Sequence, residues 1–215
     1  MRDGYGIATG SYVAERDDWR HAVERARSEG WRSLELTAVF ESLLSSLGST
    51  LAEDDGLLAG FERVSLHAPI RAGSAWSLVT EIAALPLDGQ VIFHPDAWAG
   101  ERALDRLGRR VVFENMDVAK RFGRVTDDLR SVFAGHPEAG FCLDVAHVWT
   151  NDRSLQLGHA LLDAFGDRLR QLHVSGIEPD GTHRTTTLAD LELYRPLLER
   201  CQGVPWILEA VVEED

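Results

Sequence analysis

Lysine is almost absent from this chain of 215 residues, and Lys120 is the only one. Chemistry that forms a Schiff base on a lysine therefore has a single candidate. Cysteine is also scarce, because only Cys142 and Cys201 occur, with neither metal-ligand spacing nor a disulfide framework. We expect both to be reduced thiols in a reducing compartment, with Cys142 packed inside the structure.

Long apolar runs are missing too. No run approaches the length that crosses a bilayer, and the N-terminal stretch MRDGYGIATG lacks the basic and then apolar layout of a signal peptide. These absences predict a soluble cytoplasmic protein with no membrane partner. A glycine-rich phosphate loop after the first strand is not evident either, which counts against a doubly wound open sheet.

Positive charge is in deficit, because 22 lysines and arginines face 35 aspartates and glutamates, for a net charge of −13. Non-specific binding of nucleic acid depends on cationic side chains that release counterions from the phosphate backbone. The charge balance therefore argues against DNA as a partner, although it leaves room for a local basic patch. A small-molecule substrate is the expected partner.

What the chain does contain is an alternation of strand-like and helix-like segments. Eight β-rich segments recur, at residues 5–12, 33–39, 63–70, 90–96, 110–117, 140–149, 169–177 and 206–212. Segments with helical periodicity lie between them, at residues 17–30, 74–85, 126–135, 154–166 and 186–203. Eight such units predict a parallel sheet that closes into a compact (β/α)₈ TIM barrel of the α/β class, in a single domain over residues 1–215.

The ends of these elements carry their own signals. Gly30 is a natural C-cap, Ser74, Thr126 and Ser154 are plausible N-caps, and Pro196 should break or restart its helix. The sequence stops at VVEED just after the last strand, so we expect no eighth helix. We also expect a partner subunit to cover the apolar surface left there, which would make the protein a homo-oligomer.

Ionisable residues recur late in nearly every predicted strand, where the side chains of a TIM barrel carry out chemistry. They are Glu35, His67, His94, Glu114, Asp144, His147, His173 and Glu209, with His183 in the loop after the seventh strand. Apolar neighbours such as Leu143 and Val145 flank Asp144, so the ionisable side chains are expected to face inwards. The remaining histidines, His21, His136 and His159, are interpreted as surface or packing residues.

So many charged groups at one end of a barrel would repel one another, and an isolated buried charge costs several kcal/mol or more. A bound cation would offset both costs. Taken singly, each histidine is more often an ordinary hydrogen-bonded residue than a metal ligand. Nitrogen and oxygen ligands without thiolate suit Zn²⁺, Mn²⁺, Fe²⁺ or Co²⁺ better than Mg²⁺ or Ca²⁺. We predict one to three divalent ions per chain, with Zn²⁺ or Mn²⁺ foremost.

The strand ends also form an ordered set of short motifs: HAPI, FHP, FEN, CLDVAH, LHV and ILE. This set, from about Val64 to Glu209, resembles the xylose isomerase-like TIM-barrel superfamily, which holds sugar isomerases and epimerases, sugar-phosphate isomerase-like proteins and nucleases of the endonuclease IV type. The resemblance implies that Glu114, Asp144, His173 and Glu209 hold the metal shared across the superfamily. It also implies that His67, His94, His147 and His183 are the additional ligands of three-metal members.

The resemblance has variants and limits. In single-metal sugar epimerases, the residue that matches His147 contacts substrate, and an arginine from the loop after strand seven, here Arg184, assists. Endonuclease IV has Asp-x-His after its seventh strand, whereas this chain reads Asp180-Gly-Thr-His183, one residue longer, so Asp180 departs from the ligand pattern of the three-metal members. The chain is also shorter than those nucleases, with little room for loops that grip DNA.

Two enzymatic hypotheses follow, together with a metal-binding or ligand-binding barrel without turnover. The first is an isomerase or epimerase of a small sugar-like or sugar-phosphate-like hydroxy-carbonyl compound, in which Glu114 and Glu209 move protons. The second is a metal-dependent phosphoesterase that acts on abasic DNA or, better suited to an acidic chain, on a small phosphate ester. The predicted substrate-binding residues are Glu35, Arg71, Lys120, Arg121, Arg124 and Arg184.

Overall fold

The computed structural model describes residues 5–15, 18–70 and 73–209. Eight parallel strands close into a barrel with the order β1-β10-β7-β6-β5-β4-β3-β2. Their bounds are β1 Tyr5–Ala8, β2 Ser33–Thr37, β3 Arg63–His67, β4 Val91–Phe93, β5 Val111–Glu114, β6 Gly140–Asp144, β7 Leu169–Val174 and β10 Trp206–Leu208. The predicted TIM barrel is confirmed.

Helices connect the strands on the outside of the barrel. Their bounds are α1 Trp19–Ser28, α2 Glu41–Glu53, α3 Ala75–Ala84, α4 Pro95–Trp98, α5 Thr126–Gly135, α6 Val145–Asn151, α7 Gln156–Phe165 and α8 Leu188–Leu198. After β7, the short strands β8 Gly176–Ile177 and β9 His183–Arg184 form an antiparallel hairpin that is separate from the barrel sheet. The helices between barrel strands are crossover connections, which parallel neighbouring strands require.

The core has an outer and an inner part. Most buried apolar side chains form one cluster between the strands and the helices. A separate small cluster of Ile92, Val112 and Cys142 fills the inside of the barrel. Because side chains alternate along a strand, each of these three residues lies two positions before His94, Glu114 or Asp144 on the same face. On β4, β5 and β6 each ionisable side chain therefore stands above an apolar one.

Helix α1 illustrates how local sequence determines an element. The Asp18 side chain accepts a hydrogen bond from the backbone N–H of His21 at 3.0 Å and caps the N-terminus. Gly30 follows the helix with φ of +80°, in the left-handed region that a C-terminal cap requires, as predicted. Between these ends Trp19 and Val23 are buried against the core.

Several predicted boundaries were wrong. Segment 140–149 is not one strand, because Asp144 ends β6 and caps α6. Ser74 does cap α3, whereas the N-caps of α5 and α7 are Val125 and Leu155 rather than Thr126 and Ser154. Helix α2 was not predicted.

Pro196 does not break α8, which runs on to Leu198. A proline removes one backbone hydrogen bond and costs about 3 kcal/mol in a helix interior. Here Tyr194, Leu197 and Leu198 are all buried around it, so the packing of this turn offsets the cost.

In the described part of the chain, no helix combines the length and the apolar character that a membrane span needs. The expectation that no helix follows the last barrel strand concerns residues 210–215, which lie outside the described residues. Arg71 also lies outside them.

Candidate metal centre

Glu114, at the end of β5, is the centre of the ionisable cluster. Its side chain is buried, and four histidines surround it. Its Oε2 lies 3.5 Å from Nε2 of His67 and 3.6 Å from Nε2 of His94, and its Oε1 lies 3.1 Å from Nδ1 of His147 and 3.5 Å from Nδ1 of His173. Side chains from β3, β7, the start of α4 and the first turn of α6 therefore converge on one carboxylate.

Three overlapping groups of side chains each present ligand atoms within 4.8 Å of one another. They are Glu114 with Asp144, His173 and Glu209; Glu114 with His67 and His94; and Asp144 with His147 and His183. The structure thus brings together all eight residues that the sequence predicts as metal ligands. Glu114 and Asp144 belong to two groups each, so the three groups are joined into one cluster.

Backbone carbonyls orient two of the histidines. Nδ1 of His67 lies 3.0 Å from the carbonyl oxygen of Ala68, and Nδ1 of His147 lies 2.9 Å from that of Asn115. A carbonyl only accepts, so Nδ1 is the donor in both rings. Nε2 of each neutral ring is then free to act as a ligand, and Nε2 of His147 lies 3.3 Å from Nε2 of His183.

Asp144 and Asn115 join the ends of β5 and β6. The side chain of Asn115 donates to the backbone carbonyl of Asp144 at 3.0 Å and accepts from its N–H at 2.9 Å. Oδ1 of Asp144 in turn accepts from the backbone N–H of His147 at 2.7 Å, because Asp144 is the N-cap of α6. His147 therefore projects from the first turn of a helix rather than from a strand.

Glu35 lies beneath the centre, where it is completely buried. Its Oε2 lies 3.0 Å from Nε2 of His173 and accepts hydrogen bonds from Gln171 at 2.6 Å and Ser65 at 3.3 Å. The predicted role of Glu35 in substrate binding is therefore corrected, since it does not line the cavity above the cluster. Its contacts make it a support that fixes the ring of His173.

The protonation states of the cluster are strongly perturbed. Burial raises the pKa of Glu209 to about 7 and that of Asp144 to about 6. Burial alone would lower the pKa of His67 and His147, but carboxylates around them outweigh it and raise those pKa values to about 9 and about 10. For His183, burial and repulsion from His147 lower the pKa to about 4.

The same competition acts at the centre of the cluster. Burial would raise the pKa of Glu114, but His173 and the other histidines hold it well below its ordinary value. Burial would likewise lower the pKa of His173, but Cys142 and the surrounding carboxylates raise it well above its ordinary value. In the metal-free cluster, imidazolium groups therefore lie beside carboxylate groups, and a bound cation would displace the imidazolium protons.

A test of fit to a metal comes from the buried polar atoms that lack hydrogen bonds. Both carboxylate oxygens of Glu114, Oδ2 of Asp144 and Nδ1 of His173 are buried without a hydrogen-bond partner. Native structures rarely leave such groups unsatisfied unless an ion or water accounts for them. All three residues belong to one ligand group, and their mixed nitrogen and oxygen chemistry fits a divalent transition metal.

A cavity of about 240 Å³ opens above the cluster. Its polar lining includes His67, His94, Glu114, His147, His183 and Glu209, together with Asp117, which the sequence patterns do not single out. Among residues 5–15, 18–70 and 73–209, no lysine or arginine lines it.

Two of the predicted cationic substrate-binding residues, Arg184 and Lys120, are paired with carboxylates. Arg184 makes a double hydrogen bond to Asp190, at 2.7 and 2.8 Å, and its Nε lies 3.2 Å from Glu178. Lys120 pairs with Asp96 at 3.2 Å.

The other two described arginines of that set also lie away from the cavity. Arg124 donates to Asn151 at 2.6 Å, and Arg121 is exposed. Asp180 belongs to none of the three ligand groups; it accepts from the backbone N–H of Thr182 in the hairpin turn. Substrate contacts by the basic residues stay predictions.

The three remaining histidines lie outside the cluster. His21 is exposed on α1, while Nε2 of His136 lies 2.9 Å from the carbonyl oxygen of Ala99 and Nδ1 of His159 lies 3.0 Å from Arg200. Sequence reasoning missed Asn115 and Gln171 as supports of the centre. A signal existed for Asn115, which directly follows Glu114 in the FEN motif, but none for Gln171.

No protein family model and no curated protein matches this sequence significantly. Solved structures do match over nearly the whole chain. A D-tagatose 3-epimerase-like protein has 12% identity and a TM-score of 0.53, with 96% of this chain and 90% of that one covered. The probable 3-DHS dehydratase AsbF from Bacillus anthracis has 14% identity and a TM-score of 0.60, with coverage of 98% and 93%.

A xylose isomerase domain protein from Alicyclobacillus acidocaldarius subsp. acidocaldarius has 15% identity and a TM-score of 0.59, over 92% of this chain and 86% of that one. At such identities the likeness concerns the fold. This chain shares the TIM-barrel fold with these proteins, and that is the fold that the resemblance of its strand-end motifs predicts.

Proposed function

We propose that this protein is a divalent-metal-dependent isomerase or epimerase of a small, sugar-like hydroxy-carbonyl compound. One observation carries the proposal: a cavity of about 240 Å³ has two glutamates, Glu114 and Glu209, that flank the same nitrogen of His173. The distances from His173 Nδ1 to the two carboxylates are 3.5 and 3.2 Å. Two carboxylates beside one bound carbon are what removal and return of a proton require.

Glu209 and Glu114 differ in pKa, so they suit different parts of the removal and return of a proton. In the metal-free protein burial raises the pKa of Glu209 to about 7, which makes it the stronger base of the two glutamates. Glu114 keeps its negative charge, because the surrounding histidines outweigh its burial and hold its pKa well below the ordinary value. Glu209 is therefore the residue proposed to take the proton from the carbon beside the carbonyl group.

A metal held by Glu114, Asp144, His173 and Glu209 would supply the Lewis acid that polarises the substrate carbonyl. Asp117, His147 and His183 line the cavity and offer hydrogen bonds that orient substrate hydroxyl groups. The absence of lysine and arginine from the described lining favours an uncharged sugar-like substrate over a phosphorylated one. The isomerase-like and epimerase-like names among the structural matches agree with this class of reaction.

The sharpest test detects proton abstraction whatever the product of the reaction is. Ketoses of four to six carbons are incubated in D₂O with the Mn²⁺-loaded or Zn²⁺-loaded protein, and NMR follows deuterium entry at carbons beside the carbonyl. We expect exchange with at least one ketose and its loss in Glu209→Gln, with circular dichroism unchanged. His21→Ala, which alters an exposed histidine outside the cluster, is the matched control. A metal-loaded protein that exchanges no ketose proton would overturn the proposal.

A second candidate, a metal-dependent phosphoesterase, is favoured by the sharing of Glu114 and Asp144 among three ligand groups. Sites with two or more adjacent ions stabilise both the attacking and the leaving oxygen of a phosphate ester. Elemental analysis of wild type, His67→Ala and His21→Ala separates the candidates. Loss of one of several ions in His67→Ala, with hydrolysis of bis(p-nitrophenyl) phosphate or abasic DNA by wild type, would support the phosphoesterase; a single ion that His67→Ala retains would support the isomerase.

A further inference from the structure

His183 reaches the metal centre from a different part of the fold than the other residues of the cluster. It lies on β9, in the antiparallel hairpin that is separate from the barrel sheet and pairs Gly176 with Arg184 and Ile177 with His183. Both residues of β8 are buried, whereas both residues of β9 are partly exposed. A two-stranded hairpin of this size is marginally stable by itself, so pairing with β8 alone does not hold His183 in place.

The ring of His183 forms part of the wall of the metal cavity. Its Nε2 lies 3.3 Å from Nε2 of His147, the two ring centroids lie 5.4 Å apart, and its Nδ1 lies 4.0 Å from Oε2 of Glu209. The side chain is 30% exposed, compared with 5% for that of His147. Packing does not enclose such a ring, so the backbone of β9 must fix its position.

Arg184, the next residue of β9, attaches this strand to the rest of the molecule. Successive side chains of a strand point to opposite faces, so a strand that turns His183 towards the cavity turns Arg184 away from it. The guanidinium group of Arg184 donates two hydrogen bonds to Asp190, from Nη1 at 2.7 Å and from Nη2 at 2.8 Å. Its Nε also lies 3.2 Å from Oε1 of Glu178, which directly follows β8. One rigid, planar group therefore joins both sides of the hairpin to the start of α8.

Asp190 is a fixed point for this attachment. It is buried in the first turn of α8, where its Oδ2 accepts from the backbone N–H of Thr187 at 2.8 Å and from Oγ1 of the same residue at 2.6 Å. The backbone N–H of Asp190 donates back to that Oγ1 at 3.3 Å, which completes the capping box of the helix. Tyr194 and Leu197 hold α8 in the core. Asp190 therefore connects Arg184 to an element that is packed on the barrel.

Gly176 provides the room for the guanidinium group. A Cβ atom at this position would clash with Nη1 of Arg184 and with the backbone carbonyl oxygen of Thr185. The arginine side chain therefore passes directly over β8, and glycine is the residue that such a close approach requires. Nη1 also donates to the carbonyl oxygen of Thr185 at 3.0 Å, so the attachment includes the backbone that follows β9.

We propose that Arg184 is a positioning residue of this site: its double hydrogen bond to Asp190 fixes β9 so that the ring of His183 lies beside His147 in the cavity wall. Arg184 acts through His183 and needs no contact of its own with a substrate. The inference rests on the proposed function where it concerns turnover, because the attachment then determines where a substrate hydroxyl group meets His183. The position of His183 itself is measurable without metal or substrate.

NMR of the metal-free protein with isotope-labelled histidine tests the position directly. Because the ring centroids lie 5.4 Å apart, ring protons of His147 and His183 should show a nuclear Overhauser effect in wild type. The signals are assigned through His147→Ala and His183→Ala. We expect the effect to lose most of its intensity in Arg184→Met, which keeps an apolar stem but has no donor, because the effect decreases steeply as the two rings move apart.

Thr187→Ala is the matched control, because it removes the side-chain cap of α8 but leaves both hydrogen bonds between Arg184 and Asp190 in place. We expect the Overhauser effect to keep its wild-type intensity there. Arg184→Lys keeps the positive charge without the planar fork and should also lose the effect, so the test stands even if Arg184→Met fails to fold. No effect in wild type, full intensity in the arginine variants, or equal loss in Thr187→Ala would overturn the positioning role.

Turnover gives a second readout. We expect Arg184→Met and His183→Ala to slow deuterium entry into a ketose by a similar factor, about 2-fold to 10-fold, which corresponds to the loss of one hydrogen bond. The double variant should be no slower than His183→Ala, because Arg184 acts through that residue. Losses that multiply in the double variant would mean that Arg184 contacts the substrate itself, and the positioning role would be wrong.

The failure of one proposal is distinguishable from the failure of the other. An Overhauser effect that depends on Arg184, in a protein that exchanges no ketose proton, supports the positioning role and overturns the isomerase. Ketose exchange by a protein whose Overhauser effect is unchanged in Arg184→Met supports the isomerase and overturns the positioning role.

Discussion

Replacing Glu35 by glutamine tests whether the layer beneath the metal centre determines metal affinity. Glu35 contacts His173, Gln171 and Ser65 through a single carboxylate oxygen. The high pKa of His173, which Cys142 and the carboxylates raise against the effect of burial, keeps both ring nitrogens protonated in the metal-free protein. Nε2 then donates to Glu35, and Nδ1 is the nitrogen that gives up its proton to a metal.

Glutamine preserves the volume at position 35 but removes the negative charge that orients the ring of His173. Loss of such a supporting partner typically lowers metal affinity by about 10-fold to 100-fold. That change equals about 1.4 to 2.8 kcal/mol of binding free energy. The backbone of β2 and the ligands themselves are unaltered, so we expect the barrel to fold and the number of bound ions to be unchanged.

Competition with a fluorescent chelator measures the dissociation constant for Zn²⁺ or Mn²⁺ in wild type and Glu35→Gln. Ser65→Ala is the matched control, because it removes a neutral donor, at 3.3 Å, from the same carboxylate. We expect less than a threefold effect there, because Ser65→Ala leaves the negative charge of Glu35 in place and removes only a long hydrogen bond. Equal affinities of wild type and Glu35→Gln would refute the supporting role of Glu35.

Three further predictions concern the same cluster. Asn115→Ala should lower the free energy of unfolding by about 2–4 kcal/mol in urea titrations, because it breaks two buried hydrogen bonds to the backbone of Asp144 and leaves those backbone groups unpaired. Metal binding at pH 7 should release at least one proton per chain, measured by calorimetry in buffers of different ionisation enthalpy, because the pKa values of His67 and His147 are about 9 and about 10 without metal. The metal-free protein should lose stability as the pH rises from about 6.5 to about 10, because the folded state binds more protons than the unfolded state in that window; thermal unfolding that is flat or rises would contradict it.

Much of the barrel was predictable because strand and helix periods alternate along the whole chain. The predicted strand segments ran too far at their carboxyl ends, and the reason is visible in β6. FCLDVAHVW is continuously apolar apart from its two ionisable residues, so periodicity does not separate a buried strand from a buried first helical turn. The side chain of Asp144, which caps α6, marks the change from strand to helix.

Helix α2 shows a different limit. Its N-cap, Phe40, has no side-chain cap, and the helix contains Gly48 and four serines, which are weak helix formers. Its buried Leu43, Leu44, Leu47 and Leu51 form the stripe that packs on the barrel. Tertiary packing thus determines this helix more than its local sequence does, since most helical stability in proteins comes from an apolar face.

The sequence predicted which residues belong to the candidate site, but not how far along the barrel axis each of them lies. Side-chain alternation correctly indicated that Glu35 faces the inside of the barrel, like His67 on the next strand. The register between β2 and β3 pairs Glu35 with Ser65, and it pairs Thr37 with His67. Glu35 therefore lies one inward-facing layer below His67, out of reach of the cavity.

Gln171 belongs to the same lower layer, because it pairs with Cys142 while His173 pairs with Asp144. Depth along the barrel axis depends on the stagger of neighbouring strands, which joins residues as distant in sequence as Glu35 and Gln171. A difference of one inward-facing layer thus separates side chains that face the cavity from side chains that support them, although both kinds follow the same pattern in the sequence. Ionisable side chains of the upper layer face the cavity, and polar side chains of the lower layer fix their orientation. A charge-removing change in the upper layer should therefore affect metal binding and chemistry together, whereas one in the lower layer should act on chemistry only through metal affinity.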